Sequence, residues 1–279
     1  LSISGHMNSR QDKVFLNCKI PSFSYNGTLY KDANINVSTP DDSLHIQANI
    51  TKLSKQGNAL ALNIIAGASN NRLNTSLHFK NNERHPLNGT INTSSHFAKD
   101  EKGVSTAYIE MLKSRVTIGD TTWHVNPANI IYSKNRLEVN DFSIQHDNQY
   151  IAINGSATNT TADSLHINLN DIDVSYILDL VDFHSVEFSG SASGHVFFTN
   201  AFGGTPKTAA DLTVNNFKFE NGRMGTLYAH VGYNDDEGKI EIAAKAKDED
   251  NRLTDINGYV SPRHNYIDLG IKAHHTRAE

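Results

Sequence analysis

The sequence predicts an all-β protein, an elongated and curled antiparallel meander with at most one or two short helices. Three observations lead there. Apolar residues recur at every second position along most of the chain, turn-forming residues interrupt them at short intervals, and helical spacing is nearly absent. Period two sends alternate side chains to opposite faces of a sheet, giving one apolar face and one wet face. Short connections join antiparallel neighbours, because parallel strands need about a dozen or more residues between them.

The strands read off in order. Leu44, Ile46, Ala48 and Ile50 form one apolar set, Leu60, Leu62 and Ile64 the next, and Leu73, Thr75, Leu77 and Phe79 a third. Leu87, Gly89 and Ile91 follow, then Leu137 with Val139, Ile151 with Ile153, and Leu165, Ile167 and Leu169. Leu212 with Val214 and the run Ile240, Ile242, Ala244 continue the theme. Between them lie turn signals such as Ser69-Asn-Asn71, Asp147-Asn148 and Asp100-Glu-Lys-Gly103, where Gly supplies positive φ and Asn or Asp tolerates it. The spacing predicts roughly fifteen to eighteen strands. Helical spacing occurs at Ser175–Val181, with Ser175 as N-cap and Ile177, Leu178 and Val181 on one side, barely two turns that need packing to persist. Thr106–Leu112 fits a helix or a strand equally well.

A sheet of more than about ten strands curls or splits. A membrane barrel would need a second apolar face and aromatic girdles, and aromatic residues are only 8% of the chain and unbanded. The remaining expectation is a sheet folded over along its length, burying its apolar face against itself.

Composition narrows the function. Hydrophobic residues are 38% of 279, below the roughly 45–50% of ordinary domains, as suits a sheet with one wet face. The net charge of −5 comes with both signs scattered, so no basic stripe supports nucleic-acid binding. The single Cys18 excludes an intrachain disulfide. No run of about 18 apolar residues predicts a membrane-spanning helix; the most apolar stretch, Leu60–Ala68, is short and interrupted by Asn63. No signal-peptide pattern opens the chain, which begins and ends in mid-pattern, as expected of a fragment whose anchor lies upstream.

Residues that carry chemistry are plentiful but dispersed. The fourteen histidines include His45, His78, His124, His166, His195 and His230, each alone within a strand pattern, whereas zinc needs three or four converging ligands. Carboxylates fall in turns, as at Asp41-Asp42 and Asp235-Asp-Glu-Gly238; the latter lacks the alternating ligands and distal Glu of a calcium loop. Asp171 and Asp173 flank the short helix and read as caps. Ser189–Gly194 alternates as a strand with no helix after it, so it is not a nucleophile elbow; its glycines thin the sheet where another element packs closely. Eight Asn-X-Ser/Thr sequons, among them Asn49, Asn74 and Asn92 inside strands, follow from an Asn-, Ser- and Thr-rich composition. The expectation is a non-enzyme with no catalytic residue, metal or cofactor.

From Gly119 to Ala273 the order of phrases resembles the TamB-like and AsmA-like envelope proteins, especially those of the Bacteroides group. Asp120-Thr-Thr-Trp-His-Val-Asn-Pro127 is similar to the family's Trp-x-Val/Ile-x-Pro opening of a strand series. Leu137-Glu-Val-Asn-Asp-Phe-Ser-Ile144, Gln149–Gly155 and Ser164–Val174 follow, then Phe188-Ser-Gly190. Gly225-Thr-Leu227, Ile240–Ala244, Asn257-Gly-Tyr259 and Asn265–Leu269 complete the series. Residues 1–118 match by alternation alone, so the division is 1–118 and 119–279, two continuous portions of one β-groove.

The resemblance implies a β-taco, a repeating β-groove with an apolar interior, in a periplasmic segment whose parent chain is anchored in the inner membrane and acts in lipid transfer between inner and outer membranes or in outer-membrane protein assembly. Its expected partners are lipid acyl chains and an outer-membrane assembly protein, not nucleic acid. The expected groove lining is Ile151, Ile153, Leu165, Ile167, Leu169 and Phe188 with Val196, Leu212, Val214, Ile240, Ile242 and Ala244. The competing expectation is a surface adhesin or glycan-binding β-protein, with aromatic platforms on the convex face and a sealed interior; a third is a polysaccharide-active enzyme with clustered carboxylates.

Overall fold

The computed structural model describes residues 1–25, 27–40, 43–53, 58–82, 86–99, 103–176, 187–203, 207–220, 222–234, 237–261 and 266–274. The chain is nearly all strand, arranged as an antiparallel meander of twenty strands. It divides into two compact units, Leu1–Lys134 with Phe142–His146, and Asn135–Asp141 with Asp147–Glu279. The boundary between 118 and 119 implied by the family resemblance lies inside the first unit.

The first unit contains β1 (Ser2–Asn8), β2 (Lys13–Tyr25), β3 (Thr28–Ser38), β4 (Leu44–Leu53), β5 (Ala59–Ser69), β6 (Arg72–Asn81) and β7 (Leu87–Lys99). Each pairs with the next, and the register places the alternating apolar sets on one face: Val37 opposite Ile46, Ile46 opposite Ala66, and Ile64 opposite Leu77. On the other face side-chain amides pair across strands, Asn17 to Asn36 and Asn63 to Asn49, each at 2.5 Å.

Beyond β7 the ladder jogs. Strands β8 (Ser105–Met111) and β9 (Ser114–Ile118) both pair with β7, at its two ends, so they are halves of one strand interrupted at Leu112-Lys113. Thr106–Leu112, open between helix and strand from sequence, is strand up to Met111. Strands β10 (Thr121–Val125) and β11 (Ala128–Ser133) mirror this, pairing with β9 and β8 in turn and breaking at Asn126-Pro127. Pro127 thus stands at an interruption, where its missing N–H breaks no ladder bond. The Trp123 ring beside it is 2% exposed and lies 5.9 Å from the His146 ring. The two jogs are one reason the strand number exceeds the expected range.

Strand β12 (Arg136–His146) contributes to both units; the second unit continues with β13 (Gln149–Ala157), β14 (Ser164–Asp173), β15 (Phe188–Thr199) and β16 (Lys207–Phe219). It ends with β17 (Gly222–Asn234), β18 (Lys239–Lys247), β19 (Leu253–Ser261) and β20 (Tyr266–His274), each of β13–β20 pairing antiparallel with the next. After β14 the backbone turns helical at 174–176, while Ile177–Val181, the remainder of the predicted helix, lies outside the described residues. The Asp173 carboxylate accepts bonds from the Ser175 backbone N–H at 2.9 Å and the Ser175 hydroxyl at 2.7 Å, so Asp173 does cap this turn.

Candidate functional site

The site is built from the register of the second unit. Ile153 stands opposite Ile167, Ile167 opposite Val196, and Val196 opposite Ala210. The same row runs on through Val231 and Ile242 to Gly258 and Leu269. A parallel row begins at Ile151 and Leu169, crosses Gly194 and Leu212, and continues through Ala229, Ala244, Ile256 and Ile271. Leu165 lies beside these rows opposite Phe198, Ile240 opposite Tyr233, and Phe188 opposite Phe219. All twelve expected lining residues therefore share one face, because partners across a ladder point the same way and residues two apart along a strand do too.

Along that face the two rows are mostly half-buried: Ile151, Ile153, Leu165, Ile167, Leu169, Val196, Leu212 and Ile242 all retain accessible surface, and Ile271 at the edge is 46% exposed. A third row differs. Ile172, Ala192, Val214, Leu227, Ala246 and Thr254 lie opposite one another in sequence and every one is buried. Phe217 joins this row, and Val174, Phe188 and Met224 pack against it. The Phe188 ring stacks on Phe217 with centroids 5.9 Å apart. Val214, Ala244 and Phe188, counted among the expected lining, thus belong to or border this sealed cluster, and Ile256 beside Ala244 is sealed with them.

Three devices set this arrangement, and the sequence reading passed over their signal. Asp141, Asp171 and Asn216 have φ of 61°, 57° and 52°, each preceded by Asn and followed by an apolar residue. At Asp171 and Asn216 the ladder slips by one residue, which makes them β-bulges. Leu169 and Ile172, or Val214 and Phe217, then fall on the same face although three apart. Neighbouring strands satisfy the bulge N–H groups: Asp141 N donates to Asn154 Oδ1 at 2.7 Å and Asp171 N to Ser193 Oγ at 2.9 Å. The legible signal is a one-residue slip in the alternation directly after Asn-Asp or Asn-Asn.

Glycines complete the arrangement. A Cβ on Gly194 would sit 2.0 Å from the Asp211 carbonyl oxygen, and one on Gly258 1.9 Å from that of Asp268. These positions admit no side chain because the paired strand's backbone passes so close; at Gly194 the neighbour is β16 of the same sheet, rather than another element packed on the face as expected for Ser189–Gly194.

The opposite face carries the polar groups. His195 Nδ1 lies 2.5 Å from Asn168 Oδ1 and His230 Nδ1 2.7 Å from Asp211 Oδ1, along a single row of the ladder. Among the described residues three carboxylate or amine groups have displaced pKa values, all at strand ends or turns. Hydrogen bonds from Asn140, then Arg136, hold Glu138 below the usual carboxylate range. At Asp248 desolvation pushes the value up, but hydrogen bonds from the Arg252 side chain and backbone outweigh it and leave it lowered. A bond to Glu237 raises Lys239. None of the three is on the apolar face. Among the described residues no three His, Cys, Asp or Glu side chains converge as metal ligands would, and no helix is long and apolar enough to cross a membrane.

Comparison with family models, with curated proteins and with solved structures found no match to this chain.

Proposed function

We propose that the apolar face of the second unit carries lipid acyl chains, and that the chain is a non-catalytic periplasmic segment of a TamB-like envelope protein acting in lipid transfer or outer-membrane protein assembly. The observation that supports this reading is the apolar row Ile153, Ile167, Val196, Val231 and Ile242, half-exposed at each of these residues, beside a row that is sealed. Each methylene taken from water contributes about 0.8 kcal/mol, so a sixteen-carbon tail faces a barrier of roughly 12 kcal/mol in an aqueous gap. A surface that offers the same apolar contact strand after strand removes the barrier without one tight site. Such a surface needs uniformity, and a row of Ile, Val, Leu and Ala in register supplies it.

The test is titration of a fluorescent fatty acid. Ile167→Asp and Ile242→Asp place charges in one row and are expected to abolish binding, while Lys218→Ala on the polar face leaves it unchanged. Circular dichroism and urea midpoints establish that the variants fold, and Ile167→Ala, a milder change, is expected to weaken binding without a charge. Full binding by folded Asp variants would sink the proposal.

A further inference from the structure

The polar face of the second unit contains two adjoining depressions, of 790 Å³ and 370 Å³, which share His230, Ala243 and Asn257. Their origin is a difference in side-chain size along one row. His230 on β17 stands opposite Ala243 on β18, which stands opposite Asn257 on β19. The central strand thus presents a methyl group where its neighbours present long polar side chains. Glu241 and Lys245 flank Ala243 on β18, and Gly232 widens the floor of the smaller depression.

An aromatic residue stands at each depression. Tyr228, two residues before His230, lines the larger and is 56% exposed. Tyr259, two residues after Asn257, lines the smaller, and the Lys239 ammonium lies 4.0 Å from its ring centroid. Lys239 is in turn 2.6 Å from Glu237, so the second ring is braced by a charged pair. An acid, an imidazole and an amide, Asp211, His230 and Asn257, share the ladder row that lies between the row of Tyr228 and the row of Tyr259, with Asp211 already oriented by its bond to His230.

Both volumes fall within the roughly 300–1,000 Å³ of small-molecule sites. Nucleic acid is disfavoured because Asp211, Glu237 and Glu241 offset Lys239 and Lys245. An acyl chain is disfavoured because polar groups would be desolvated without partners. A sugar ring meets both halves of the chemistry: its axial C–H face lies on an exposed aromatic ring, and its hydroxyls exchange bonds with carboxylate, amide and imidazole groups that donate and accept. Two aromatic-bearing depressions in continuity fit more than one ring.

We propose that these joined depressions bind an extended, β-linked oligosaccharide, with Tyr228 as the stacking platform and Asp211 and Asn257 as hydroxyl partners. The named polar and aromatic side chains lie on the face opposite the acyl rows, whose Leu212, Ala229, Ala244 and Ile242 also line the depressions within the strands, so one surface would hold a polysaccharide while the other carries lipid.

The experiment is calorimetric titration of the intact chain with chitotetraose and with cellotetraose. Saturable binding of either is expected, weakened at least tenfold by Tyr228→Ala and severalfold by Asn257→Ala, both exposed positions where folding is preserved. Binding of chitotetraose alone would narrow the class to acetamido sugars and support the site. Ile167→Asp, on the other face, is expected to leave saccharide binding unchanged, so loss of fatty-acid binding and loss of saccharide binding report on different surfaces. Absence of saturable heat with both sugars, or equal affinity in Tyr228→Ala, overturns the proposal.

Discussion

Two parts of one apolar face in the second unit have nearly the same composition and opposite fates. The row Ile172, Ala192, Val214, Leu227, Ala246 is closed to solvent, whereas the row Ile153, Ile167, Val196, Val231, Ile242 is mostly half-open. Hydrophobicity does not separate them. What separates them is local backbone geometry: bulges at Asp171 and Asn216 bring an additional apolar residue onto the face at the sealed row, and Phe217 and Phe188 lie over it. The half-open row has regular pairing, and its Ile153, Ile167, Val196, Val231 and Ile242 lie outside the buried cluster that Phe217 and Phe188 join. A sheet can therefore build a core at one end and leave a contact surface a few residues away with the same side-chain vocabulary.

That contrast is sharpest under truncation. Phe217→Ala removes a buried aromatic from the sealed row and is expected to cost about 3–5 kcal/mol, read as a large fall in the urea midpoint. Ile167→Ala, in the half-open row, should cost about 1–2 kcal/mol, since part of its surface is already in water. Equal losses would mean that both rows are core and that the open-surface reading is wrong.

Glycine substitutions sharpen the same distinction through the backbone. Gly258→Ala forces a methyl group to 1.9 Å from the Asp268 carbonyl oxygen, and should cost about 1–3 kcal/mol as overpacking. Gly67→Ala in the first unit meets nothing closer than 3.9 Å and is expected to be neutral or stabilising by about 0.5 kcal/mol. Thermal melts of the two variants decide whether close strand approach is specific to the former position.

The smallest effect is electrostatic. Arg252 Nε donates to Asp248 Oδ2 at 2.6 Å and its backbone N–H to Oδ1 at 2.8 Å, closing the β18–β19 hairpin. Because the folded carboxyl has a lowered pKa, its stabilisation is present above the unfolded value, about 4, and is lost as pH falls through the folded value. The stability difference between the wild-type chain and Asp248→Asn should accordingly shrink between about pH 5 and pH 2 and stay level above it. A difference that is constant with pH would remove this carboxylate from the hairpin's stability.

Much of this was legible in the residues. Period-two alternation and turn chemistry are local properties, so the all-β class, the antiparallel meander and the one-sided alternation of strands such as that of Leu165, Ile167 and Leu169 follow from reading along the chain. The interruptions at Leu112-Lys113 and Asn126-Pro127 were not, because each half-strand keeps its own alternation and the break shows only as pairing with two partners. Asp171 was read as a cap whereas it forms a bulge, and Asp141 and Asn216 were not singled out, although the slipped alternation after each was visible. The depressions around Ala243 were invisible, since an alanine among polar residues gives no signal until its neighbours across the ladder are known.

The sequence by itself determined which side chains of one regular strand face the same way, because between bulges that depends on the two-residue pleat and on nothing distant. Only the tertiary structure decided which stretch of the apolar face is sealed, which is left open, and where small residues align into a hollow. Those outcomes depend on register, and register joins residues far apart in the chain whose sizes matter only once they are neighbours.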